Sequence, residues 1–148
     1  MTCNQRVGIT IPILWLGFVL SISFMEAWLK FQAAGVTQAI GLAIGRLVFG
    51  ALNKVELFFM TVMLLSTLRT YGLKIEKTLR NLLISLMVVL LTQTFHLLPD
   101  LDQRAAMIIH GTAPTASYSH FYYVFSELIK AILLGVFAHK MLSSYRKL

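Results

Sequence analysis

Five ionisable side chains stand in or beside runs of residues too apolar for a soluble surface: Glu26, Glu56, His96, His120 and Glu127. An ionisable group at membrane depth is costly unless paired, hydrated or ligated, so each marks a candidate site. Asn53 and Lys54 accompany Glu56 in Ala51-Leu-Asn-Lys-Val-Glu56, Asp100 follows His96, and Tyr123 and Lys130 flank Glu127. Carboxylates and imidazoles drawn from several helices can surround a transition-metal ion, as in di-iron four-helix proteins. Those proteins use two Glu-x-x-His motifs, whereas the spacings here are Asn-x-x-Glu and His-x6-Glu. The same groups suit a small polar ligand, with or without redox chemistry, and Lys54, Lys130 and Arg46 would suit an anion.

Three other readings compete. In the structural one, Lys54 and Lys130 pair with Glu56 and Glu127, and Glu26 pairs with Lys30 at i+4; buried pairs of this kind need not add stability. In a second, Thr92, His96, Tyr122, Tyr123 and Phe125 line a quinone or haem pocket, although histidines and aromatics at helical spacing are usually core. In a third, the chain is a small transporter that must oligomerise, because four spans are few for alternating access. A hydrolase has no support, since Ser117, Ser119 and His120 read as a helix cap.

The elements that must position these groups are membrane helices. The chain has 148 residues, 57% of them hydrophobic, and a mean hydropathy of +0.76. Soluble domains are roughly 45–50% apolar, so this is one integral membrane domain. The net charge of +7 is read as topological and not as a nucleic-acid footprint. A single Cys3 excludes an internal disulfide and any cysteine-rich metal site.

Spans are expected near 9–29, 45–68, 82–98 and 118–141. The first also resembles a signal-peptide core, but Glu26, Trp28 and Lys30 occupy the place of a small-residue cleavage site, which favours a retained helix. Ala39 to Leu68 reads as one continuous helix, with Gly41 and Gly45 spaced for close packing. Pro99 is expected to end the third span, with an interfacial turn over Ala105 to Ile109.

Lysine and arginine set the orientation. Arg6, Arg69, Lys74, Lys77, Arg80, Lys140, Arg146 and Lys147 fall on one side, against Lys30, Arg46 and Arg104 on the other. The positive-inside rule then places both termini in the cytoplasm of a multi-pass inner-membrane protein. On that topology the five candidates all fall in the outer half of a core about 30 Å thick.

The halves of the chain also align. Glu26 to Glu56 is 30 positions and His96 to Glu127 is 31, which suggests two repeated helical hairpins. The fold class expected is therefore all-α, an integral membrane four-helix bundle. Its partners are the lipid bilayer and either a second copy or another membrane subunit. In the latter case the chain is an accessory component whose charges pair internally.

Four stretches carry a family resemblance: Phe24-Met-Glu-Ala-Trp-Leu-Lys-Phe31, Gly45-Arg-Leu-Val-Phe49, His96-Leu-Leu-Pro-Asp-Leu-Asp-Gln-Arg104 and His120-Phe-Tyr-Tyr123. In these the chain resembles small four-helix bacterial membrane proteins related to eukaryotic transmembrane protein 205. The resemblance implies an architecture and no particular chemistry. Lys54, Glu56 and the His120 to Glu127 face are more polar than the group's pattern, which speaks against a merely structural role.

Overall fold

The computed structural model describes residues 3–145. Four helices make up the fold: α1 (Cys3–Gln32), α2 (Gln38–Tyr71), α3 (Lys77–Ile109) and α4 (Ser119–Tyr145). There is no strand among the described residues. At 1.5 Å per residue the helices run about 40–50 Å, against a hydrocarbon core of about 30 Å. All four are long and apolar enough to cross a membrane.

Local chemistry sets the helix ends. The Thr37 hydroxyl accepts the Ile40 amide at 3.3 Å and caps α2. Gly72, at φ 58° and ψ −137°, takes a positive-φ conformation that residues with a side chain rarely adopt, and this stops α2 and turns the chain towards α3. At the start of α4 the Ser117 hydroxyl accepts the Ser119 amide at 3.1 Å, so the polar Ser-Tyr-Ser segment does act as a cap.

Two of the helices are not α-helical throughout. α1 passes through a π-helical segment at Leu20–Glu26, and α3 through another at Gln93–Leu97. The second explains why Pro99 does not end α3, contrary to expectation. Pro99 falls in the first turn of the α-helical stretch Leu98–Ile109 that follows the π segment, where a missing N–H is tolerated.

The bundle is packed differently at its two ends. One end is a dense apolar core built from Trp15 and Val19 of α1, Phe59 and Met63 of α2, Leu83 to Leu90 of α3, and Leu134 to Met141 of α4. Helix α1 lies against both α2 and α4, and the first half of α3 packs on α4. At the other end the helices separate around a cavity. There Gly41 and Gly45, the close-packing pair of the sequence, admit the Phe31 ring and the Lys30 side chain respectively. A layer of polar side chains separates the two ends.

Candidate functional site

Lys130 is the centre of that layer. Its side chain is fully buried, and its ammonium is surrounded by Glu56 Oε1 at 2.5 Å, Glu127 Oε1 at 2.9 Å and Gln93 Oε1 at 2.7 Å. An ammonium has three N–H donors, and three acceptors meet it here. Glu127 and Lys130 stand at i and i+3, on one face of α4. Glu56 arrives from α2 and Gln93 from the π segment of α3.

Neutral donors complete the shell around the two carboxylates. Trp15 Nε1 donates to Glu56 Oε1 at 2.9 Å, Ser23 Oγ to Glu127 Oε2 at 3.0 Å, and Gln93 Nε2 to Glu127 Oε1 at 2.8 Å. Gln93 Nε2 also donates to Ser126 Oγ at 2.7 Å, and Tyr123 is buried one turn before Glu127 on α4. Among the described residues no buried side-chain nitrogen or oxygen is left without a partner. Satisfaction matters because an orphaned polar group in a low-dielectric interior costs a full desolvation penalty.

Above this layer lies a cavity of about 790 Å³. Glu127, Ser23 and Tyr123 form its floor, and Phe24, Trp28, Phe49 and Val124 contribute to mostly apolar walls. Phe49 and Tyr123 meet edge to face at 5.6 Å between centroids, joining α2 to α4. Towards the mouth stand Lys30, Arg46, Asp102 and His120. Lys30 pairs with Glu26 at 3.2 Å and lies 5.2 Å from the centre of the Phe49 ring. Arg46 and Asp102 form a two-pronged pair, at 2.6 and 2.8 Å, that ties α2 to α3.

Charge balance follows from these pairings. Each cation at the mouth has its own carboxylate, whereas below them two carboxylates share one ammonium. With all groups ionised the cavity and its floor carry one unmatched negative charge.

The candidates divide accordingly. Glu56, Glu127 and Lys130 converge, with Tyr123 against them. Asn53 is buried but turned aside, donating to Thr94 Oγ1 at 2.9 Å. Asp100 pairs with Arg104 at 2.8 Å. Glu26 reaches only Lys30, His120 is exposed at the mouth, and His96 is exposed and does not line the cavity. The five candidates therefore do not form one cluster. Among the described residues no three His, Cys, Asp or Glu side chains converge to hold a metal ion, so the transition-metal reading lacks a ligand set.

Lys54 is a second correction. It is exposed and pairs with neither Glu56 nor Glu127; Lys130 serves both. Residues i and i+2 on a helix point to opposite sides, so Lys54 leaves the bundle where Glu56 enters it. Sequence reasoning in turn gave too little weight to Trp15, Ser23 and Gln93. The signal available was that a buried indole or amide must find a partner.

Comparison with known proteins adds nothing to this geometry: no family model, no curated protein and no solved structure matches the chain.

Proposed function

We propose that this is an inner-membrane protein, with both termini in the cytoplasm, that binds a small amphiphilic organic cation in the cavity. One observation carries the reading: a largely apolar chamber floored by Glu127, one of two carboxylates that share the single buried ammonium of Lys130. A monocation with an apolar body completes that balance. Its N–H donates to Glu127 Oε2, the oxygen nearest the chamber's own donor Ser23, while its body lies against Phe24, Trp28 and Phe49. Such aromatic walls favour cations as well as apolar groups. A metal ion would need several His, Cys, Asp or Glu side chains converging on one point, and among the described residues no three do so.

The repeated hairpins fit this function. Ser23 and Gln93 stand 70 positions apart, each within a π-helical segment, and both donate to Glu127. Glu56 and Glu127 stand 71 apart and both hold Lys130. These matched spacings support a reading of the site as lying at the junction of two repeated hairpins, as in some transporters.

The test is titration of the detergent-solubilised protein with 4-phenylbutylamine and with the neutral 4-phenylbutanol, followed by fluorescence. Trp28, which lines the cavity, reports occupancy. The amine should bind more tightly than the alcohol, and Glu127→Gln should weaken the amine by roughly ten- to a hundredfold, as loss of a charged hydrogen bond does. Equal affinity for the two probes, or an unchanged amine affinity in Glu127→Gln, refutes the reading.

A further inference from the structure

Helix α2 presents a second feature that the cavity does not use. Leu47, Ala51, Lys54, Phe58, Thr61 and Leu65 are all exposed and follow one another at alternating spacings of four and three along its 34 residues. That spacing draws a straight seam down one side of the helix. Lipid suits every member except Lys54.

Lys54 lies at the middle of α2, about 24 Å from Gln38 and about 25 Å from Tyr71 at 1.5 Å per residue. The nearest other exposed charge on this helix is that of Arg46, about 12 Å along the axis. That is further than the four-carbon stem of a lysine extends. Among the described residues Lys54 has no hydrogen bond and no ion pair. The seam is also notched beside it. Ala51, small and exposed, lies one turn away. Small residues at this position let a second helix backbone come close.

A second copy of this chain has no carboxylate free to complement Lys54. All six are engaged: Glu26 with Lys30, Glu56 and Glu127 with Lys130, Glu76 with Lys140, Asp100 with Arg104, and Asp102 with Arg46. In a symmetric pair the seams would set Lys54 against Lys54. We propose that the α2 face centred on Lys54 is the interface for a transmembrane helix of a different polypeptide, bearing an aspartate or glutamate at the same depth. The carboxylate comes in over Ala51 and meets Lys54, and the apolar seam packs on either side. The seam runs down the opposite side of α2 from Glu56.

The chain's one cysteine, Cys3, is exposed and takes a donor dye. The labelled full-length protein is reconstituted in phosphatidylcholine vesicles with an acceptor-labelled, lysine-flanked leucine–alanine helix of about 20 residues. One version of the probe carries glutamate at its centre and the other glutamine. Energy transfer should show the glutamate probe associating roughly fivefold more tightly than the glutamine probe, a preference abolished by Lys54→Met. In Lys54→Glu, a probe with central lysine should restore it.

Equal association of the glutamate and glutamine probes overturns the proposal. So does a preference that survives Lys54→Met, which would place the contact elsewhere. Transfer between two labelled copies without any probe assigns the face to self-association and overturns the choice of partner. A probe preference that disappears when phosphatidylglycerol is added, with lipid retention depending on Lys54, assigns the lysine to lipid phosphate and likewise overturns it.

Discussion

Replacing Lys130 by methionine tests the central layer most directly. Methionine nearly preserves the volume and the unbranched shape, so the change isolates the charge. The Lys130 side chain is fully buried, with Glu56 Oε1 at 2.5 Å and Glu127 Oε1 at 2.9 Å. Without the ammonium, two buried carboxylates are left with only neutral donors. Breaking a buried pair by removing one member costs about 3–5 kcal/mol. At about 2–4 °C per kcal/mol for a chain of this size, the midpoint of thermal unfolding falls by roughly 6–20 °C.

The companion change has the opposite expectation. Glu127→Gln leaves Glu56 and Lys130 as a neutral pair, its amide oxygen still accepts from Lys130 and Gln93, and its NH₂ can turn to the Ser23 and Tyr123 oxygens. Its stability should stay within about 1 kcal/mol of the parent. Combining Lys130→Met with Glu56→Gln and Glu127→Gln should recover most of what the single change loses, because no buried charge then remains. The assay is unfolding in a mixed detergent series followed by fluorescence, in a Trp28→Phe background so that the buried Trp15 reports alone. If Lys130→Met unfolds within about 1 kcal/mol of the parent, or Glu127→Gln costs as much as Lys130→Met, the layer is not held by charge balance and the reasoning fails.

Other outcomes follow from the same geometry. Trp15→Phe keeps the ring packing near Phe59 but removes the donor to Glu56, so it should cost about 1.5–3 kcal/mol in detergent unfolding followed by circular dichroism; a neutral result would mean that Glu56 does not depend on the indole. At the cavity mouth, Asp102→Asn leaves Arg46 unmatched and should weaken 4-phenylbutylamine, whereas Arg46→Gln should strengthen it, each by less than about fivefold because the pair is partly exposed. Both effects should fade as ionic strength rises, and shifts of the same sign in the two variants would exclude an electrostatic origin.

What the sequence disclosed is the part governed by composition and length. Four apolar runs give four helices, and Glu56 and Glu127 are conspicuous because a charge within such a run needs a reason. Less legible was angular position. Lys54 and Glu56 are two residues apart, and only the roughly 200° between them on a helix decides that one is buried and the other is not. His96, Gln93 and Asp100 have the spacing of one α-helical face, but a π segment runs through Gln93 to Leu97 and widens the turn. Gln93 therefore points into the layer while His96 points away. Trp15 reads from the sequence as a packing residue and Ser23 as an ordinary one for a third reason: neither is charged, and their polar atoms matter only through partners on other helices.

The π segments carry a consequence for how this chain can change. A π turn is an α-helix that has taken in one extra residue while the turns on either side keep their facing. Losing one residue between Leu20 and Glu26 of α1 would therefore restore the α-helix and leave Lys30 and Phe31 against Gly45 and Gly41, whereas the same loss in a regular stretch of α-helix would rotate everything beyond it by about 100°. The two π segments are thus the places at which these helices tolerate a change of length. The cost of such a change falls locally, on the polar side chains the segments carry, Ser23 and Gln93.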